Sequence, residues 1–401
     1  MYRIIVIIYF VLLSLTGFNI VGSSQFVLTP FVLLAIPLLL YLNFFKIKFS
    51  FHNNKLLILL LLFVFVFNVF GLLNGSVPVS SFVNFFFYLI VLFYSLSVVK
   101  KIDIIDGQKI FKVILWLYFL NLLISRLFFV LIEKNIFLRV IFGYTYDKGQ
   151  LRFYAFSSEP SYLAIIITMS ILVLWYFKID NFKKYFIIYV LSLLLSQSSY
   201  GLISFFITLI VVNGKNVFKN YKKWLAVLML LIVSVLAVNV KSVYVLRVVD
   251  IVSLLSEFKD FKSLIYSWNL VDSSSFYRIS PIYIYIESLS NYEFGNFFGH
   301  GLASDVDYYR NKYFLFFGER HERLSLPMIP TIFYILGIIP AMSLIVKLYK
   351  NLTLDNKLLY VYFFLIMINC GFQTQLFLFS YMCLYFISII NVNSKKVFNE
   401  I

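Results

Sequence analysis

Long apolar runs separated by short polar connectors set the pattern of this chain. Eight stretches carry no Asp, Glu, Lys or Arg: 4–45, 56–99, 113–125, 160–177, 185–214, 224–240, 324–346 and 358–394. A helix needs about 20 apolar residues to cross about 30 Å of hydrocarbon. The runs at 4–45, 56–99 and 358–394 hold 42, 44 and 37 residues, which is room for two crossings and a turn in each. The turns are Gly22-Ser23-Ser24-Gln25, Asn74-Gly75-Ser76-Val77-Pro78 and Gly371-Phe372-Gln373-Thr374-Gln375. The run at 113–125 continues past Arg126 to Ile132.

Charge resolves the run at 185–214. Lys183 and Lys184 precede it, and Lys215, Lys219, Lys222 and Lys223 follow it. Basic loops stay on the cytoplasmic side, so the chain crosses out and back around Ser196-Gln197-Ser198-Ser199-Tyr200-Gly201. The expected fold class is an all-α polytopic integral membrane protein with about twelve transmembrane helices. Both termini are expected in the cytoplasm. Residues 1–401 form one membrane domain, with a smaller outer loop at 133–159. A large outer loop at 241–323 separates transmembrane helices 9 and 10. The short outer turns at 22–25, 74–78, 196–200 and 371–375 carry no Lys or Arg. A cleaved signal peptide is the weaker reading of the N-terminus, because the apolar run is too long for one.

Composition agrees with this pattern. Hydrophobic residues make up 62% of the chain and charged residues 13%, against about 45–50% and about 25% in soluble domains. That excludes a soluble enzyme, a coiled coil and a disordered scaffold. The net charge of +16 arises from 34 Lys+Arg against 18 Asp+Glu. Those basic residues sit mostly in the short inner loops, so the charge reports topology rather than nucleic-acid binding. Cys370 and Cys383 both lie in apolar runs and support neither a disulfide framework nor a metal site.

The two long outer segments break the pattern. Together they hold 13 of the 18 acidic residues, and His300 and His321 as well. Long loops in compact proteins are usually functional. ATP and nucleotide-sugars are cytoplasmic, so neither is expected as a direct substrate. The inner loops use Lys, with Arg3 as the exception, whereas Arg126, Arg139, Arg152, Arg247, Arg278, Arg310, Arg320 and Arg323 stand outside. Arginine offers a planar fork that fits phosphate or carboxylate oxygens, so the outer face is suited to an anion such as a pyrophosphate. The alternative is that these arginines pair with the nearby acids and hold the loops together.

The segment Leu151-Arg152-Phe153-Tyr154-Ala155-Phe156-Ser157-Ser158-Glu159-Pro160-Ser161-Tyr162-Leu163-Ala164 is the most specific in the chain. Pro in a first turn and a carboxylate at a helix N-terminus also form an ordinary helix start. The functional reading sets Glu159 at the membrane boundary, facing Arg152.

An Arg followed by Phe-x-x-Glu-Pro-Ser-x-Leu-Ala entering a helix resembles the O-antigen and exopolysaccharide polymerases of the Wzy type, relatives of the O-antigen ligases. Further similar motifs follow in order. They are the Ser-rich hairpin at 196–201, Asp272-Ser273-Ser274-Ser275-Phe276-Tyr277-Arg278, Phe298-Gly299-His300-Gly301, and His321 before Leu336-Gly337-Ile338-Ile339. There is no clean Arg-x10-Gly pattern; Arg139 to Gly149 is one residue short. His321 is followed by Glu322, where ligase-like members often carry Asn.

The resemblance implies a metal-independent and cofactor-free glycosyltransferase on the outer face of the bacterial inner membrane. Its substrates would be undecaprenyl-pyrophosphate-linked glycans. Membrane lipid and a polysaccharide chain-length regulator are the implied partners, and nucleic acid is not one. Arg152 and Arg278 would clamp pyrophosphate, with Arg320 or Arg323 as a third cation and His300 near the glycan. Glu159 or His321 would take the proton from the acceptor hydroxyl. The ordinary alternatives are a charged surface loop for His321 and a turn for His300. Arg126 either serves the substrate or snorkels to the outer interface. Two rival functions are an O-antigen ligase and a lipid-linked oligosaccharide flippase. The flippase is expected to carry charges within its helices and to keep its outer loops short, opposite to this chain.

Overall fold

The computed structural model describes residues 2–16, most of 62–73, 77–100, 102–134, 143–147, 150–157, 159–196, 198–219, 273–289, 294–302, 304–317, 327–352, 358–371 and 374–399, with single positions between. In chain order the elements begin with helices α1 (Tyr2–Ser14), α2 (Val79–Val99), α3 (Ile104–Leu127) and the short α4 (Phe129–Lys134). A hairpin of β1 (Gly143–Asp147) and β2 (Gln150–Ala155) follows, then α5 (Pro160–Tyr176), α6 (Phe182–Ser196) and α7 (Ser199–Lys219). The remainder is α8 (Ser273–Ser288), α9 (Phe294–Phe298), α10 (Ser304–Phe317), α11 (Met328–Leu336), α12 (Ile338–Lys350), α13 (Leu358–Asn369) and α14 (Gln375–Asn399). The described chain is thus mostly helical. The expected spans at 26–45 and 224–240 lie outside the described residues.

Sequence signals start and stop these helices. Pro78 precedes α2 in extended conformation, and Pro160 opens α5 at its first position. The 185–214 run is two helices, α6 and α7, that meet between Ser196 and Ser199. Ser198 there accepts a hydrogen bond from the Gly201 N–H at 3.3 Å, as a capping side chain does. The 371–375 turn separates α13 from α14, where the Thr374 hydroxyl donates to Gly371 O.

Three features depart from the sequence expectation. The 133–159 loop carries a β-hairpin, so the chain is not wholly α. Asp147 pairs with Gln150, and Tyr144, Thr145 and Tyr146 face Phe153, Arg152 and Leu151 across the ladder. Aromatic and β-branched residues favour such paired strands. Helix α3 begins at Ile104 instead of 113, and takes the buried Asp106 into its first turn, where the helix dipole favours a carboxylate. The run at 324–346 is broken at Gly337, whose φ of 79° and ψ of 164° suit glycine alone.

The chain divides into two compact units, residues 111–276 and residues 1–110 with 277–401. In the first unit α5 is the core helix, buried from Leu163 to Leu174. It packs on α6, α7 and β2. The Tyr189 hydroxyl lies 3.2 Å from Thr168 and 3.3 Å from Thr208, tying the three helices together. In the second unit α14 is buried from Leu376 to Ile387. It packs against α1, α2 and α13. Gln375 donates from Nε2 to Leu12 O at 2.7 Å, which satisfies a carbonyl near the end of α1.

Both units present apolar side chains outward as well as inward. Val79, Val83 and Ile90 of α2 are exposed, and so are Val113, Leu120, Ile124 and Leu127 of α3. Ile187, Leu191 and Leu194 repeat this on α6, as do Ile339, Met342 and Val346 on α12. Each set follows a helical spacing along one face. Helix α3 is, among the described residues, the one helix long and apolar enough by itself to cross a membrane.

Candidate functional site

Within the first unit the hairpin leads directly into the buried helix α5. Ala155 ends β2 at a φ of 51°. The left-handed region costs a non-glycine residue about 1 kcal/mol or more. Ala155 is nonetheless buried at 1% exposure, so its surroundings hold it there. The chain then turns through Ser157, whose hydroxyl donates to Glu159 O at 2.8 Å. Glu159 is the residue before α5, with extended torsions, and its side chain is half-buried. The Ser161 hydroxyl donates to Glu159 Oε2 at 3.1 Å. One carboxylate oxygen of Glu159 is thereby held against the first turn of α5.

Arg152 lies in the middle of β2, opposite Thr145. Phe153 is buried and meets Phe129 edge-on at 6.0 Å. The guanidinium of Arg126 stands 5.5 Å from the Phe153 ring centroid, and its side chain is exposed at the last turn of α3. That geometry is what an arginine snorkelling from an apolar helix would show, with the ring as a cation–π partner. Arg126, Arg152 and Glu159 therefore all belong to the hairpin and the two helix ends beside it.

The second unit holds Arg278 and His300. Arg278 is half-buried on α8, one turn before Pro281. His300 sits between Gly299 and Gly301, whose φ values are 97° and 95°. This loop docks on the break between α11 and α12. The His300 N–H donates to Tyr334 O at 3.1 Å and the Gly301 N–H to Ile335 O at 3.3 Å. The end of α11 thus gains donors for carbonyls that a helix terminus leaves unpaired. A Cβ on Gly337 would strike Gly299 N and Phe297 backbone atoms, and one on Gly299 would strike Ile335 O. Neither glycine has room for a side chain.

The His300 ring is layered. A Cβ on Gly295 would strike it, so Gly295 lies against the ring. Tyr334 stacks on His300 at 4.3 Å, and Tyr308 on Tyr334 at 4.2 Å. Lys312 caps Tyr308 at 5.7 Å from its centroid. Asn296 Oδ1 lies 3.3 Å from His300 Nε2. His300 is thus fixed in a packed turn.

Arg320, His321 and Arg323 lie outside the described residues. Arg152 and Glu159 belong to one unit, Arg278 and His300 to the other. The sequence assigns no role to the tyrosines that layer this region, because 30 tyrosines are scattered through the chain and none carries a distinguishing spacing. Compared with models of protein families, with curated proteins and with solved structures, the chain matches none.

Proposed function

We propose that this protein polymerises lipid-linked oligosaccharide repeat units on the outer face of the bacterial inner membrane. The observation that carries the reading is the strained hairpin that leads into the largely buried apolar helix α5, with Arg152 on its second strand and Glu159 just before the helix. Such a position suits a lipid carrier, whose tail stays in hydrocarbon while its pyrophosphate lies at the boundary. The exposed apolar faces of α2, α3, α6 and α12 support a lipid surround, and with it the twelve-span topology. The order of motifs shared with Wzy-type polymerases supports the chemistry.

The reaction is glycosyl transfer. A hydroxyl of the acceptor repeat unit attacks the anomeric carbon of the donor chain. The new C–O bond forms as the bond from that carbon to the pyrophosphate oxygen breaks. The acceptor's proton goes to Glu159 or His321, and undecaprenyl pyrophosphate leaves with the bonding electrons. By the motif resemblance, Arg152 and Arg278, with Arg320 or Arg323, are the candidates to neutralise the charge that develops on the leaving group.

Deletion of the gene in its host tests this reading. Surface glycan is run on a gel beside lipid-linked intermediates. Loss of long polymer, with single lipid-linked repeats persisting on the outer face, is the expected result. Accumulation of long lipid-linked polymer instead identifies a ligase. Single repeats trapped on the cytoplasmic face identify a flippase and overturn the proposal.

A further inference from the structure

Two cation–π contacts cross between α3 and α6 in opposite directions. Lys112 Nζ of α3 stands 5.5 Å from the centroid of the Tyr185 ring on α6. Lys184 Nζ of α6 stands 5.5 Å from the centroid of the Trp116 ring on α3. Lys112 and Trp116 are about one turn apart on α3, and Lys184 and Tyr185 are adjacent on α6. All four belong to the unit of residues 111–276. A ring face occupies one side of an ammonium, which has three N–H donors to place. Among the described residues neither ammonium has a carboxylate partner. Two cations from two helices are thus brought to one place by aromatic partners, with donors left for an anion.

Outward apolar rows continue from this pair. On α6, Ile187, Leu191 and Leu194 follow Lys184 at helical spacing. On α3, Leu120, Ile124 and Leu127 follow Trp116 in the same way. All six aliphatic side chains are exposed. A free phosphate would use the ammoniums alone, whereas a phospholipid uses both features. We infer that α3 and α6 form a binding site for an anionic phospholipid. Its phosphate takes the N–H donors of Lys112 and Lys184, and its acyl chains lie along the two rows. Trp116 and Tyr185 hold the lysines and mark the headgroup level, as these rings do at a membrane interface. In the topology proposed above, this end of both helices faces the cytoplasm, where anionic lipid attracts basic side chains. The occupant is therefore a lipid of the inner leaflet, apart from the lipid-linked glycan of the outer face. That placement rests on the membrane reading and takes nothing from the polymerase chemistry.

The test uses the full-length protein in detergent micelles, with bound lipid counted by native mass spectrometry. Phosphatidylglycerol and the zwitterionic phosphatidylethanolamine are the probes, and the wild type should prefer the first. A lysine beside an anionic lipid surface is worth about fivefold in affinity, and two about 25-fold. Lys112→Gln with Lys184→Gln should therefore lose about 25-fold for phosphatidylglycerol. Lys112→Arg with Lys184→Arg keeps the charge and should keep the lipid. Lys347→Gln with Lys350→Gln removes the same charge from the last turn of α12 and should bind as the wild type does. If the first pair melts below the wild type without lipid, Lys184→Gln alone replaces it, with a fivefold loss expected; that side chain is exposed. Undiminished binding by the Gln variants at α3 and α6 overturns the site. An equal loss in the α12 pair does so too, since net charge would then suffice. Displacement of the lipid by inorganic phosphate overturns the lipid as occupant, and no preference in the wild type overturns the proposal outright. Sidedness is read separately, by thiol labelling of Lys101→Cys. Labelling in intact cells overturns the topology and the inner-leaflet assignment with it, whereas failed binding with that topology upheld overturns the lipid site alone.

Discussion

Gly337 and Gly299 show how single residues fix the packing of a loop against a helix end. Gly337 adopts torsions open to glycine alone, and its Cα lies against the backbone of Phe297 and Gly299. Gly337→Ala should therefore cost about 2 kcal/mol or more, from strain and from the parting of the two segments. Thermal melts in detergent read this as a large fall in melting temperature. An unchanged melt would mean that the close approach is absent. The phenols nearby carry a pH signature. Burial, then the neighbouring Tyr308, pushes Tyr285 up to about 12, and burial with the Asp305 charge raises Tyr309 as well. Unfolded tyrosines ionise near about pH 10. Between about pH 10 and 12 the unfolded chain releases protons that the folded chain keeps, so stability falls as pH rises. Melts across that window should show the fall, and Tyr285→Phe should show less of it.

At the scale of elements, the hairpin and α5 form the unit on which the proposed chemistry depends. Glu159 has two possible duties, a helix start or a base, and they separate experimentally. Glu159→Gln keeps the shape and the contact with Ser161, so the melting temperature should shift little. Removal of a general base lowers rates about 10²–10⁴-fold, so polymer in a deletion strain carrying the variant should fall to a trace. Normal polymer would leave Glu159 as a helix start and move the base to His321. Helices such as α2, α5, α6 and α7 were legible from apolar runs and from punctuation such as Pro78, Pro160 and the Ser196–Gly201 turn, whereas α8, α9 and α10 lie in the segment 241–323 that reads as a loop. The hairpin was not read. Its Tyr-Thr-Tyr and Leu-Arg-Phe-Tyr strands around Asp147-Lys148-Gly149 carry a β signal, but they sit in a segment assigned as loop because it is polar. The Gly337 break was hidden by the same reasoning in reverse. An unbroken apolar run looks like one helix, and only the packing of Gly299 against it shows otherwise. The Tyr285–Tyr308–Tyr334 cluster joins residues from three helices, a contact that no spacing along the chain encodes.

For the whole molecule, the apolar residues exposed along α2, α3, α6 and α12 are what the proposed membrane setting calls for. The topology proposed from the Lys-rich loops is one that single cysteines can map. Ser76→Cys and Thr374→Cys should react with an impermeant thiol reagent added outside intact cells. Lys101→Cys should react only after the membrane is opened. The native Cys370 and Cys383 are fully buried and should stay unlabelled throughout. Reaction of Lys101→Cys in intact cells would invert the topology and put Arg152 and Glu159 on the wrong face for the proposed chemistry.

The most direct measurement of the central claim reconstitutes the purified protein in proteoliposomes. The substrate is lipid-linked repeat unit extracted from the deletion strain, with no nucleotide-sugar and no ATP present. The account predicts a ladder of lengthening lipid-linked chains with release of undecaprenyl pyrophosphate, and its loss in Glu159→Gln or Arg278→Ala. Repeat units that move across the bilayer without lengthening, or that remain unchanged with active wild-type protein, would contradict it.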